Sequence, residues 1–431
     1  MTGCIEKSTR AMNISTMRIV DRWVGVPVCW FLTMVRRLFG SERPAGSGEV
    51  RRILFIKPAE QGATVLAYPA ITRAVEMVGR RNVYFLVFEE NSHIFEVLDV
   101  IPLDNIITIP TRGAVSFFWG TLTSLIKVRM LKPDMAVDME FFARFSAIVT
   151  YLTGAKTRVG FHSFSGEAAY RGDLMTHHLG YNSHLHISQV YLAMLEAASL
   201  PPSALPALPF RPATTCGSLP LFRPDTGSVN EIRSLLQRET GWEEGTRLVL
   251  LNANCSDLLP LRSWPAGRYV QLARRLLKSY TDLLVVFTGP PEERAAIEKL
   301  VADVDSGRCV SLAGKTTLRL LLTLYSMVRV MVTNDSGPAH FAALTPMDVV
   351  TLFGPETPAI FGSLSPRNRV ISAGLACSPC VNAYNDRRSP CSNNLCMQNI
   401  TVDEVYDLVG DLIQPLNGEK SGTRDLECEQ T

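Results

Sequence analysis

The sequence predicts an α/β protein made of two Rossmann-like halves. Short apolar runs rich in β-branched residues, Ile53–Ile56, Val83–Phe88, Ile106–Ile109 and 135–137, alternate with amphipathic stretches such as 70–78 and 117–131. Such alternation implies a parallel sheet covered by helices on both faces. A Pro-rich stretch at 200–212 interrupts it, and the pattern then restarts with strands at Arg247–Asn252, Leu283–Phe287, 330–332 and 349–352 and helices near 269–277 and 292–301. A length of 431 residues fits two such units at about 100–200 residues per domain. Ligands of open α/β sheets bind beyond the carboxyl ends of the strands, so function is sought in the loops that follow them.

One of those loops is suited to an anion. The 328–332 run empties into Asn334-Asp335-Ser336-Gly337-Pro338-Ala339-His340. Gly337 lets the backbone approach a ligand without a Cβ, Pro338 fits the first helical position, and Asp335 or Ser336 can cap free amides. A helix N-terminus joins unpaired N–H groups to the positive end of the helix dipole, which favours a phosphate, and His340 adds a donor one turn in. Capped turns of this kind also occur throughout α/β proteins with no ligand, so the context has to decide.

The context is a second buried strand ending in Phe353-Gly354-Pro355-Glu356, then Cys377-Ser378-Pro379-Cys380, Cys391 and Cys396-Met397. Upstream, Ile53–Ile56 runs into Lys57, a glycine loop at Gly62, and Tyr68-Pro69-Ala70-Ile71. With the Asp335-Ser336-Gly337-Pro338-x-His340 signature, this order resembles glycosyltransferase family 9, the lipopolysaccharide heptosyltransferases, over roughly residues 50–415. The resemblance implies a GT-B fold, two Rossmann-like domains facing a central cleft. It implies an inverting, metal-independent enzyme that moves a heptose or related sugar from a nucleotide sugar (ADP-heptose-like) to a lipopolysaccharide core or other lipid-linked saccharide, with no cofactor required for catalysis. The expected division is an amphipathic extension and linker at 1–49, an acceptor domain at 50–213, a donor domain with a Cys-rich loop at 214–415, and a polar tail at 416–431.

On the donor side, Asn254 and Ser256 follow a strand directly and point to the same cleft as the Asp335 turn. Arg262 lies beyond them, where a guanidinium can fork onto a diphosphate and stabilise charge that grows on the leaving group. In the family a basic residue just before Trp-Pro does this, whereas Arg262 sits two residues before Trp264. Glu292, after the Leu283–Phe287 strand, is the candidate acceptor of ribose hydroxyls by resemblance. Asp335, Ser336, Gly337 and His340 complete the expected donor set.

The first domain departs from the family at its most important position. Heptosyltransferases carry Gly-Asp in the loop after the first strand, the aspartate serving as candidate base, but here Ala63 follows Gly62. An inverting transfer needs a group that takes the acceptor proton. Glu60 is the nearest carboxylate and the expected substitute, with Lys57 beside it and Glu140 as the reserve. Gly62, His184 and His186 are the expected acceptor contacts, although satisfied structural histidines are the competing account of the last two.

Cys377, Cys380, Cys391 and Cys396 are candidate ligands of a structural zinc ion, with a disulfide pair or free thiols as alternatives. Ten cysteines without a secretory signal point to a reducing compartment. The apolar run 23–35 is too short to span a bilayer, but Trp23, Trp30 and the flanking Arg18, Arg22, Arg36 and Arg37 suit the headgroup layer of an anionic membrane. The alternative is a helix packed on the protein itself, and Pro27 should kink it. A peripheral position on the cytoplasmic face of the inner membrane follows. A net charge of +2 from 43 basic and 41 acidic residues gives no general attraction to nucleic acid. Two other functions stay open: a sugar-nucleotide enzyme that does not transfer, such as an epimerase, and a non-catalytic membrane-associated binding protein.

Overall fold

The computed structural model describes residues 14–39, 49–210, 219–253, 255 and 259–413. The linker 41–48, the 213/214 boundary, the tail 416–431 and the donor candidates Asn254 and Ser256 lie outside them. Two six-stranded sheets, all of their pairings parallel, form the body. The first contains β1 (Ile53–Ile56), β2 (Val83–Phe88), β3 (Ile106–Ile109), β4 (Met135–Asp138), β5 (Thr157–Phe161) and β6 (His177–Leu179). The second contains β7 (Arg247–Asn252), β8 (Leu283–Phe287), β9 (Cys309–Ser311), β10 (Val330–Asn334), β11 (Asp348–Phe353) and β12 (Asn368–Ser372).

The spatial orders are β3-β2-β1-β4-β5-β6 and β12-β11-β10-β7-β8-β9. Counted within its own half, each is the doubly wound order of a dinucleotide-binding fold, with the switch point between its first and fourth strands. Those switch points are β1 beside β4 and β7 beside β10. The expected α/β fold with two Rossmann-like halves is therefore the fold observed.

Alternation along the strands divides the core. Ile53 and Phe55 face a cluster that continues into the second domain through Leu248, Leu250 and Phe341, whereas Leu54 and Ile56 face an outer cluster with Phe88 and Ala136. Val249 and Leu251 face a third, around Trp264 and Tyr269. One apolar core thus runs through both domains and fixes how the two switch points face each other.

The N-terminal segment forms helices Ile14–Trp23 and Gly25–Phe39. Pro27 falls in the first turn of the second helix, where its missing N–H costs nothing. One face of the pair is docked on the first domain. Asp21 accepts from the backbone N–H of Arg144 at 3.0 Å and of Phe145 at 2.8 Å, capping helix Arg144–Leu152 from outside. Cys29 and Thr33 are buried, and Arg36 pairs with Asp173 at 2.6 Å. The opposite face leaves Trp23, Trp30, Phe31, Leu38 and Phe39 exposed. Among the described residues no helix is long and apolar enough to cross a membrane.

Candidate active site

Both switch points open onto one seam. After β1 the chain turns through Lys57-Pro58-Ala59-Glu60 into helix Gln61–Val78, and Glu60 adopts a left-handed conformation with φ of 68°. After β10 it turns through Asp335-Ser336 into helix Gly337–Phe341. The two helix starts meet. A Cβ placed on Gly62 would stand 2.8 Å from the His340 ring and 3.0 Å from the Gly337 Cα. A Cβ on Gly337 would meet only the Phe341 ring, at 3.4 Å. It is therefore Gly62 whose missing side chain allows the approach.

A chain of alternating charges crosses this seam. Lys57 is buried and donates to Glu140 at 3.0 Å, to the Ala59 carbonyl at 3.0 Å and to Glu60 at 3.5 Å. The other oxygen of Glu60 accepts from Arg387 in the second domain. Arg387 forks onto Glu356 at 2.8 and 2.9 Å. Arg262 reaches Glu356 at 3.4 Å and Asp335 at 3.8 Å.

Burial works against charge on Lys57, but Glu140 and Glu60 outweigh it and hold the ammonium above its ordinary range. Burial likewise favours a neutral Glu60, but Arg387 and then Lys57 hold its carboxyl well below the usual carboxylate range. A carboxylate so stabilised is a weak base. Asp335 is pushed up, first by burial and next by the carboxylate of Glu356. His340 is pushed down to about 4 by burial and by His186.

The sequence did not single out Glu356 or Arg387 as members of this chain. Arg387 comes from the Cys-rich loop, and the structure corrects the expected zinc site there. Among the described residues no group of three or more His, Cys, Asp or Glu is arranged to hold a metal ion. Cys380 donates to Ser389, Cys391 donates to the Asn393 carbonyl, Cys377 is exposed, and Cys396 is buried against Gly354. The loop is held by other bonds. The N–H groups of Cys380 and Val381 donate to the Pro355 carbonyl at 2.9 and 3.1 Å, and Ser378 donates to the Gly354 carbonyl. Asp386 and Arg387, both left-handed at φ 56° and 51°, then turn the chain toward Glu60.

The remaining candidates fall in different surroundings. Ser336 occupies the helix cap position without a side-chain cap bond, its hydroxyl going to the Asn334 carbonyl at 3.2 Å. Asn334 accepts from the Trp264 N–H at 3.0 Å and the Tyr269 hydroxyl at 3.1 Å, so it ties the Trp264-Pro265 segment to the Asp335 turn. Glu292 is exposed beyond β8. His184 is exposed, whereas His186 caps helix Ile187–Ala197 and meets the Gly362 carbonyl of the second domain at 2.9 Å. Aromatic contacts extend the seam, Phe142 on Tyr384 and Tyr181 on Tyr384 with ring centroids 6.0 and 5.3 Å apart.

The sequence profile of glycosyltransferase family 9 (heptosyltransferase) matches residues 128–389, which takes in the second switch point, Glu356 and Arg387. The chain belongs to glycosyltransferase family 9. It is similar to lipopolysaccharide heptosyltransferase 2 of Salmonella typhimurium, 34% identical over 115 residues, or 26% of this chain and 32% of the relative. It is also similar to lipooligosaccharide heptosyltransferase 2 of Haemophilus influenzae, 27% identical over 270 residues, 60% of this chain and 71% of the relative. The match to the Salmonella protein thus spans about a third of that protein's length. The E. coli ADP-heptose lipopolysaccharide heptosyltransferase II structure superposes with a TM-score of 0.60 at 18% identity, covering 84% of this family 9 chain and 98% of that one. A family 9 structure from Veillonella parvula gives 0.64 at 17% identity, covering 85% and 98%. These likenesses establish the GT-B arrangement.

Proposed function

We propose that this family 9 protein is an inverting heptosyltransferase that takes an ADP-heptose-like donor and glycosylates a lipopolysaccharide core or another lipid-linked saccharide. The observation that carries this reading is the charged seam itself, where two helix starts and the guanidinium groups of Arg262 and Arg387 converge. Its support from outside the chain is a heptosyltransferase from E. coli, similar in fold, whose structure holds ADP-2-deoxy-2-fluoro heptose.

In this reading the donor diphosphate lies against the Ser336-Gly337 turn, and Asn254, Ser256 and Glu292 remain the candidate partners of the nucleotide. Its charge draws Arg262 and Arg387 away from Glu356 and Glu60. The acceptor oxygen then attacks the anomeric carbon from the opposite face while the bond to phosphate breaks and its electron pair leaves on the diphosphate. The two cations stabilise that growing charge. Glu60, released from Arg387, takes the acceptor proton. Lys57, already bonded on three sides, positions Glu60 and Glu140 rather than touching substrate. The exposed Arg22 and Arg37 and the exposed tryptophans beside them hold the enzyme peripherally on the cytoplasmic face of an anionic inner membrane, whereas Arg36, expected to join them, is taken up by Asp173.

Purified full-length protein given a panel of nucleotide sugars and a heptose-deficient core acceptor tests the reading. Transfer from ADP-heptose with inverted anomeric configuration is expected. Tight nucleotide binding without transfer from any donor would replace it with the binding-protein reading, and interconversion of donor epimers would replace it with an epimerase.

A further inference from the structure

Helix Ala114–Leu131 is apolar on two opposite faces. Phe117, Leu125, Val128 and Leu131 pack inward on the outer cluster of the first sheet. On the other side, Val115, Trp119, Leu122, Ile126 and Met130 follow one another at steps of three and four residues, which sets them on one stripe. That stripe faces solvent, with exposures of 72% at Val115, 58% at Trp119 and 76% at Met130. A helix apolar all round is ordinarily buried by protein or lipid. Among the described residues the outer stripe stays uncovered, and contiguous apolar surface of this kind marks an interaction site.

Charge identifies the occupant. The stripe is bordered by Arg112, Lys127, Arg129 and Lys132, all exposed, and residues 105–133 contain no Asp or Glu. Arg52 adds a further cation at the helix end, where it donates to the Leu131 carbonyl at 2.7 Å. At that same end Asp134 accepts from the backbone N–H groups of Arg51 and Arg52 at 3.0 Å, and the acids at the opposite end are Glu89 and Glu90, of which Glu90 accepts from Thr111. A second exposed apolar surface lies on the same domain. Met17 of the first N-terminal helix packs on the same outer cluster as Phe117 and Phe145, so that helix and Ala114–Leu131 cover the same side of the first sheet, and the N-terminal helix also leaves Ile19 and Trp23 exposed.

We propose that helix Ala114–Leu131 docks on an anionic lipid bilayer, its outer stripe entering the acyl boundary and its rim of cations meeting the headgroups. This rests on the reading that the protein works at a membrane, but assigns the contact to an element of the folded acceptor domain rather than to the N-terminal segment alone. The docked helix lies in the interface, and it brings the mouth of the first domain to the surface from which a lipid-linked acceptor is presented.

Full-length protein is sedimented with vesicles of phosphatidylglycerol and phosphatidylethanolamine and with vesicles of phosphatidylcholine alone. Leu122→Glu combined with Ile126→Glu should lower partitioning onto the anionic vesicles about tenfold or more, with an unchanged melting curve. Trp23→Glu with Phe39→Glu forms the separate arm for the N-terminal reading. Full binding by the Leu122/Ile126 variant, whatever the second arm does, overturns the proposal, and loss in the second arm alone leaves only the N-terminal anchor. A wild-type dimer in light scattering that the Leu122/Ile126 variant dissolves, with vesicle binding unaffected, overturns it in favour of a contact between copies. A brominated-lipid experiment avoids any folding defect in that variant. Trp119→Phe should remove part of the quenching seen in the wild-type chain, and equal quenching in both overturns the proposal.

Discussion

Glu60 and Arg387 are 327 positions apart, lie on opposite sides of the cleft, and are bonded to each other while both backbones occupy the left-handed region. Non-glycine residues in that region each cost about 1–3 kcal/mol and persist where the surroundings over-determine them, which is common at functional sites. Here the two unfavourable turns aim one carboxylate and one guanidinium at the same point. Glu356 fixes Arg387 from behind, and Lys57 does the same for Glu60.

The Glu356 carboxylate, 3% exposed, depends on that arrangement. Arg387→Ala strips its bidentate partner and leaves a buried charge with Arg262 as its remaining cation and Asp335 beside it, so unfolding should become easier by about 3–5 kcal/mol. Adding Glu356→Gln should recover much of the loss, because the orphaned charge is then gone. Denaturant melts of the three proteins check this, and a double variant no more stable than Arg387→Ala would show that the pair is not the source.

Gly62 and Gly337 look equivalent in the sequence but are not equivalent in space. Gly62→Ala should push the His340 ring and the Gly337 backbone away and open the cleft, lowering transfer about tenfold or more if closure positions the reacting groups. Gly337→Ala has room in this structure and should keep the domain arrangement. Small-angle scattering separates the two, with an increase in radius expected for Gly62→Ala alone.

His340 gives stability a pH dependence of definite sign. Its ordinary value of 6.5 is lowered to about 4 in the fold, so between these values the unfolded chain binds a proton that the native chain refuses. Stability from this group is complete above pH 6.5 and is lost as pH falls toward 4, by up to about 3 kcal/mol. His340→Gln should flatten that part of the profile. Chemical denaturation at pH 5 and pH 7 measures the difference, and parallel losses in both proteins would place the titration elsewhere.

The strands legible in the sequence were those buried on both sides, β1, β2, β4, β7, β8, β10 and β11, together with the edge strand β3. Missed were β6, β9 and β12, which are edge strands or end a sheet, and β5 next to β6. His177-His178-Leu179 and Asn368-Arg369-Val370 carry no apolar run because one side of each strand has no neighbour to bury it. The site was legible where a loop follows a strong strand, as at Lys57, Glu60, Gly62 and Asp335. Arg387 was invisible because its position depends on the irregular segment 373–394, whose cysteines suggested metal chemistry instead. Glu356 stood in the Phe353-Gly354-Pro355 motif itself, yet nothing local marks a carboxylate that two distant arginines will hold.

In the proposed mechanism the departure at Ala63 decides how the proton moves. With Arg387 bound, Glu60 is a stable carboxylate and a poor base, so the proposed mechanism requires the donor diphosphate to attract Arg387 before the proton moves. Glu60→Gln keeps the shape but removes the basic oxygen, and transfer should fall by roughly 10²–10⁴ with nucleotide affinity unchanged or raised. Ala63→Asp in that background restores a carboxylate at the position the family uses and should return part of the rate. The two substitutions also separate base from latch, because Glu60→Gln weakens the bond to Arg387 as well. If that bond only holds the cleft shut, Glu60→Gln should bind nucleotide faster and transfer at a near-normal rate, and the proton would then have to go to Glu140. Stopped-flow binding together with single-turnover transfer in the wild type and both variants distinguishes these outcomes.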